Sequence, residues 1–182
     1  IADCQFVVGT SARERRIPWP LLDPRRCAEE VAARAGNEQV ALLFGREDRG
    51  LTNEELQRCN LHLHIPSDPA YSSLNLAMAV QIVCYELRML HLAGSLPAAA
   101  DDQWDAPFST AENMERFYEH LEETLVGIGF LDPAAPRQLM VRLRRLYGRV
   151  RLDEMELNIL RGILTETQKF LPEPENPPPR KS

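Results

Sequence analysis

The chain predicts an α/β fold, a parallel sheet flanked by helices, followed by a small all-α domain. Three observations carry this. Continuous apolar runs at Phe6-Val7-Val8 and Val40-Ala41-Leu42-Leu43-Phe44, each stopped by a glycine, read as strands covered on both faces. These runs alternate with helical patterns over the first ninety-odd residues, as in parallel sheets built from strand–helix–strand units. From Gly94 to Ser109 the composition turns to Ala, Pro, Asp and Gly, and three amphipathic helix patterns follow.

Taken in order, Phe6–Val8 is the first strand, stopped by Gly9, and Gly9-Thr10-Ser11-Ala12-Arg13 is its loop. Each proline in Ile17-Pro18-Trp19-Pro20 biases its predecessor away from helix, so this stretch is extended. Asp23-Pro24 pairs an N-cap residue with proline at the first helical position, opening a helix from Arg25 to Ala35 that ends near Gly36. Val40–Phe44 is the second strand, with Gly45-Arg46-Glu47 at its end. Thr52-Asn53-Glu54-Glu55 has capping-box spacing, and its short helix runs through Arg58. Leu61-His62-Leu63-His64-Ile65 alternates strictly, as a strand does. After the loop Pro66–Tyr71, Ser72 and Ser73 stand as caps before a run from Leu74 to Ala93 whose polar members are few. A helix apolar on nearly every side is buried or meets a second subunit.

Composition narrows the classes. The 182 residues are 44% hydrophobic, as in ordinary globular proteins. The most apolar run holds Glu86, Arg88 and His91, so it is not a membrane span. Cys4, Cys27, Cys59 and Cys84 form no C-x-x-C pair, which disfavours a zinc knuckle or a disulfide framework and suits a reducing cytosol. The net charge is −6, yet the arginines cluster: Arg13, Arg15, Arg16, Arg25 and Arg26 near the start, and Arg137, Arg142, Arg144, Arg145, Arg149, Arg151 and Arg161 near the end. Local patches rather than the total decide whether a phosphate backbone is attracted.

In open parallel sheets ligands collect beyond the carboxyl ends of the strands. Three strand ends here carry loops of similar character: Gly9–Arg13, Gly45–Glu47, and Ile65 through Ser73. None is G-x-G-x-x-G or a P-loop, which disfavours a dinucleotide or triphosphate.

The segments VVGTSAR, FGREDRGLTNEEL and IPSDPAYSSLNLAMAVQIVCYEL closely resemble three consecutive motifs of the SPOUT, or α/β-knot, RNA methyltransferases. VGTSAR with the later PWP, and the arginine-bearing helical tail, look like the type that methylates the ribose 2′-oxygen at position 32 (C or U) of the tRNA anticodon loop. The likeness is strong to about Ala93 and looser from Glu112 to Phe170. It implies the C-terminal part of a trefoil-knotted parallel sheet, a homodimer, tRNA as partner, a cytoplasmic setting and S-adenosyl-L-methionine as cofactor, with no metal. Carried over position by position, cofactor contacts fall on Thr10, Ser11, Ala12, Gly45, Ile65, Ser72, Ser73 and Leu74. Arg13, Arg46, Glu47 and Ser73 take the catalytic positions: the arginines hold RNA phosphate, Glu47 orients a neighbour, and Ser73 hydrogen-bonds nucleophile or cofactor. The plain alternative for Arg46 and Glu47 is a surface ion pair. The family's first motif, a strand and loop carrying an Asn and an Arg, is not found in this sequence. The opening Ile1-Ala2-Asp3-Cys4 runs into a strand without a lead-in, so the chain reads as a fragment with an incomplete acceptor site. The competing function class is a non-catalytic RNA-binding module that kept the knot.

Residues 1–93 are thus expected to form the methyltransferase core, 94–111 a linker with Trp104 as its apolar anchor, 112–171 a helical tRNA-binding domain and 172–182 a disordered proline-rich tail. In the helical part Thr110 caps a helix that turns Met114, Phe117, Tyr118, Leu121 and Leu125 inward and ends at Gly127 and Gly129. Pro136 starts a second, with Leu139, Met140, Leu143, Leu146 and Tyr147 inward and Arg137, Arg142, Arg144, Arg145 and Arg149 outward. Asp153 caps a third, burying Leu157, Leu160, Ile163, Leu164 and Phe170. RNA contacts are expected from Arg13, Arg15 and Arg16 and from Arg142, Arg144 and Arg145. His62 and His64 share a strand face as metal ligands can, but without a third ligand nearby they read as exposed or interface histidines. Tyr71 can stack on a base, although a tyrosine packing its own loop is the commoner case.

Overall fold

A computed structural model describes residues 1–12, 19–68, 70, 73–94 and 106–171. Its first half holds a four-stranded parallel sheet in the order β2-β4-β1-β3. The strands are β1 (Phe6–Thr10), β2 (Leu21–Leu22), β3 (Val40–Leu43) and β4 (Leu61–Leu63). The helices between and after them are α1 (Pro24–Arg34), α2 (Asn53–Gln57) and α3 (Leu76–Leu92).

Strand alternation sets the two faces of the sheet. Phe6, Val8 and Leu63 point to one face, where Cys27 and Val31 of α1 and Val83 of α3 close a buried cluster. Gly9 and His62, paired in register, point to the other. There a Cβ on Gly9 would lie 2.7 Å from Cys59 Sγ and 3.0 Å from Leu56, so only glycine lets α2 and its following turn sit this close. Burial pushes the Cys59 thiol up to about 12 and the Cys27 thiol up to about 11, which leaves both unreactive.

Caps explain the helix starts. Asp23 Oδ1 accepts from Arg26 N at 3.0 Å, with Pro24 in the first turn. Thr52 and Glu55 form the expected reciprocal box, at 3.2 and 2.7 Å. The main-chain N–H of Thr52 holds the Glu55 carboxyl below its ordinary value, so the box stays charged and intact at neutral pH.

The helical region holds α4 (Ala111–Gly127), α5 (Leu139–Val150) and α6 (Glu154–Gln168). Thr110 caps α4, and Asp153 with Glu156 forms a second capping box on α6. Phe117, Tyr118, Leu121, Leu152 and Leu157 form a second buried cluster, flanked by Met114, Leu125, Met140, Leu143, Tyr147, Leu160 and Leu164.

Several expectations change. β2 was not foreseen as a strand; its two residues are too few to show a period. α3 begins at Leu76 and is capped by Asn75, whose Oδ1 accepts from Ala77 N at 2.9 Å, not by the serines before it. Only Val83 of α3 is buried within the chain, and Met78, Tyr85, Met89 and Leu92 are exposed. α5 starts at Leu139 rather than at Pro136, because Arg137 takes a positive φ of 50° that breaks the helical path. Leu146, Ile163 and Phe170 face outward; Phe170 lies beyond the end of α6 and is 87% exposed. His62 is buried, stacked on Trp19 at 5.4 Å, with Nε2 donating to the Leu56 carbonyl at 2.9 Å.

Arg144 does not face outward as its helical period suggests. Its guanidinium clamps both oxygens of Glu115 at 2.6 and 3.0 Å and lies 4.4 Å over the Tyr118 ring, so it braces α5 against α4. A fork–fork pair of this kind fixes geometry as well as charge.

Candidate active site

The loops after β1, β3 and β4 converge on one cleft of about 420 Å³ at the carboxyl end of the sheet. Thr10, Ser11 and Ala12 come from the first loop, Gly45, Arg46 and Glu47 from the second, and Ile65, Ser73 and Leu74 from the third. Arg13, Arg15, Arg16, Tyr71, Ser72 and Trp104 lie outside the described residues.

Backbone contacts set the shape of this cleft. Ser11 N donates to the Leu63 carbonyl at 2.9 Å, and His64 Nδ1 donates to the Ser11 carbonyl at 3.1 Å. The first loop is thereby stitched to β4, and His64 has a structural task.

The second loop is a tight turn. Gly50 N donates to the Arg46 carbonyl at 2.7 Å, and Gly50 takes a positive φ of 69° that favours glycine. Gly45 faces the returning chain so closely that an added Cβ would lie 2.2 Å from Gly50 C and from Leu51 N. At the tip, Arg46 and Arg49 both reach Asp48 at 3.3 Å, and all three side chains are more than half exposed. The pair made by Arg46 therefore runs to Asp48, not to the adjacent Glu47. Surface pairs of this exposure contribute little stability, so they are easily exchanged for a ligand's charges.

Sequence reasoning missed part of the lining. Phe44, Leu51, Leu76 and Ala79 add apolar wall, while Asp48, Arg49, Thr52 and Asn53 add polar rim. Most of these stand within FGREDRGLTNEEL, so the signal was the motif as a block rather than its three leading residues. A volume of this size lies within the range of about 300–1,000 Å³ usual for small-molecule sites, and an apolar wall with a polar rim suits a nucleoside. Among the described residues no group of three or more His, Cys, Asp or Glu could hold a metal ion. No helix among them is long and apolar enough to cross a membrane.

Known proteins share this arrangement. The SpoU rRNA Methylase family matches residues 6–85, and the C-terminal domain of tRNA methyltransferase TrmJ matches residues 112–176. The tRNA (cytidine/uridine/adenosine-2′-O-)-methyltransferase TrmJ of Pseudomonas aeruginosa is 56% identical over 176 residues, covering 93% of this chain and 68% of the relative. The tRNA (cytidine/uridine-2′-O-)-methyltransferase TrmJ of Salmonella typhimurium is 52% identical over 169 residues, covering 93% and 70%. The crystal structure of TrmJ from Z. mobilis ZM4 superposes with a TM-score of 0.75 at 29% identity, covering 92% of this chain and 69% of that one. Sheet, cleft and matched segments together define a SpoU-type methyltransferase. Within that class, the chain belongs to the TrmJ family of tRNA methyltransferases.

Proposed function

We propose that the chain transfers a methyl group from S-adenosyl-L-methionine to a ribose 2′-oxygen at position 32 of the tRNA anticodon loop. The observation that carries this is the single cleft in which all three strand-end loops meet. Phe44, Ile65 and Leu74 line the cleft as an apolar wall that would hold the adenosyl group, and Thr10, Ser11 and Ser73 would supply its polar contacts. The cofactor supplies a methyl already activated on sulfonium. The chain's residues would hold the ribose 2′-oxygen in line with that methyl, with the hydroxyl proton passing to solvent and S-adenosylhomocysteine as the leaving group. Such alignment supplies roughly 7–11 kcal/mol of the barrier. Arg46, freed from Asp48, holds RNA phosphate at the mouth, and Glu47 orients a neighbour; Arg13 and Ser72 belong to the same proposal. The knotted path, the division into a core over 1–93 and a helical unit over 112–171, and a cytoplasmic setting go with this reading.

The test is label transfer from S-adenosylmethionine to unmodified tRNA. Transfer is expected, and a 2′-O-methyl already present on nucleotide 32 is expected to block it. Binding of tRNA with no calorimetric heat from S-adenosylhomocysteine would instead establish a non-catalytic RNA-binding module.

The working unit in this proposal is a homodimer. Met78, Tyr85, Met89 and Leu92 recur at helical spacing along α3 and leave an apolar stripe open, which a second copy covers. Light scattering on a sizing column is expected to give twice the mass of one chain, and Tyr85→Glu, which sets a charge on that seam, is expected to halve it. A wild-type chain that elutes as a monomer at micromolar concentration refutes the pairing.

The outward arginines of the helical region, Arg142 foremost with Arg145 beside it, serve the RNA backbone.

A further inference from the structure

α5 ends in a residue ill suited to its backbone. Arg151 is the C-cap and takes φ 60° and ψ 75°, the left-handed region where glycine is the usual occupant. A side chain kept at such a position has a task that outweighs the strain.

Its contacts show that task. The Arg151 guanidinium pairs with Glu38 in a salt bridge whose side chains are only 15% and 11% exposed. It lies 4.1 Å over the Phe108 ring and 5.2 Å over the Phe6 ring. Phe6 opens β1 and Glu38 stands just before β3, so one side chain grips the amino ends of a central strand and the edge strand beside it. Phe108 pairs with Asp153 in an antiparallel bridge, which ties in the segment that enters α4. Arg151 is thus the point where the sheet, the α4 entry and the α5–α6 corner meet. Other junction contacts are Asn60 Nδ2 donating to the Gly148 carbonyl at 3.3 Å, Ala111 N to the Cys4 carbonyl at 2.8 Å, Glu112 N to the Ala2 carbonyl at 3.0 Å, and the exposed Arg58 4.0 Å from Glu115.

The clasp and the cleft sit at opposite ends of the same strands. β1 runs from Phe6 under the guanidinium to Thr10 in the cleft, about 13 Å at the usual strand rise. A change of about 10° at the clasp therefore moves the outward face of α5 relative to the cleft by about 2 Å over that span.

Building on the function proposed above, we propose that Arg151 is a positioning residue for RNA. It fixes the angle of the helical region on the sheet, so that the arginine face of α5 and the cleft engage one RNA in a single register. It touches neither cofactor nor reacting atoms.

Arg151→Gly is the informative variant, because glycine keeps the left-handed turn without strain while deleting the clasp. Small-angle scattering of the free protein is expected to show a broadened particle for this variant. With tRNA, KM is expected to rise about tenfold while kcat at saturating tRNA stays within about threefold, the signature of lost binding register rather than lost chemistry. S-adenosylhomocysteine affinity is expected to be unchanged. Arg151→Lys is expected to behave like the glycine variant, since an ammonium cannot stack flat on Phe6 and Phe108 while pairing Glu38. An unchanged scattering profile, an unchanged KM, or full rescue by lysine overturns the proposal. So does a parallel loss of cofactor affinity and kcat, which marks a general structural role. A wild-type chain that binds tRNA but transfers no methyl sinks the enzyme reading instead, while the scattering and RNA-affinity arms still decide the clasp.

Discussion

Gly45→Val is expected to abolish measurable binding of S-adenosylhomocysteine, a loss of about a hundredfold or more, equal to at least about 2.7 kcal/mol. The reason is close approach rather than torsion. A Cβ at this position lies 2.2 Å from Gly50 C, 2.2 Å from Leu51 N and 2.4 Å from Gly50 Cα. These are main-chain atoms, which cannot swing aside as a flexible side chain can. Overpacking alone costs about 1–3 kcal/mol where neighbours can shift. Here the shift must unmake the Arg46–Gly50 turn, whose closing hydrogen bond is 2.7 Å long, and must lift Leu51, which is buried beneath Gly9. Two of the three loops that shape the cleft move together. Titration calorimetry reads the loss, and thermal melting shows whether the sheet survives it. Affinity within threefold of wild type removes Gly45 from any part in the cofactor site.

The same turn shows what a sequence can and cannot reveal. Gly45 lies just beyond β3 as the apolar run followed by glycine suggests, whereas Gly9 does not stop β1, which pairs through it as far as Thr10; the Thr52–Glu55 box and the Asp153 cap are local signals too. What each glycine touches is set by chain returning from elsewhere: Cys59 and Leu56 for Gly9, Gly50 and Leu51 for Gly45. The start of α3 was misread because Ser72, Ser73 and Asn75 are all competent caps, and only tertiary placement chooses Asn75. Arg144 was assigned to solvent by its helical period. Its partner Glu115 lies 29 residues away, beyond the reach of any periodic argument. His62 sat on the polar half of an alternating strand, yet Trp19 and α2 cover that face. For the site, convergence at the strand ends follows from the parallel topology, whereas the roles assigned to Arg46, Glu47 and Ser73 came from family likeness. The Arg46–Asp48 pair was not legible, because charges two apart in a tight turn meet only once the turn closes.

Phe117→Ala is expected to unfold the helical region while sparing the cleft. Phe117 is 1% exposed, meets Tyr147 edge-on at 5.0 Å and lies 5.5 Å from Tyr118. Truncating such a ring costs about 3–5 kcal/mol. A unit of this size holds of order 3–9 kcal/mol in all, so the deletion removes most of it. Tyr118 adds to the loss: its hydroxyl, buried enough to be pushed well above its ordinary value, donates to the Arg144 carbonyl at 3.3 Å from the helix that Phe117 supports. The sheet stands apart from this damage because the two buried clusters share no residue. What joins them is chiefly polar: Arg151 with Glu38, Asn60 with Gly148, and Arg58 4.0 Å from Glu115. Polar contacts across a junction transmit orientation well and cooperativity weakly, so each cluster opens at its own free energy. Circular dichroism of the variant should therefore show an early helical melt followed by a second transition near that of the wild type. At a temperature between the two, S-adenosylhomocysteine should still bind and tRNA affinity should be lost. A single transition, with both ligands lost together, would mean that the clasp at Arg151 welds sheet and helices into one cooperative unit.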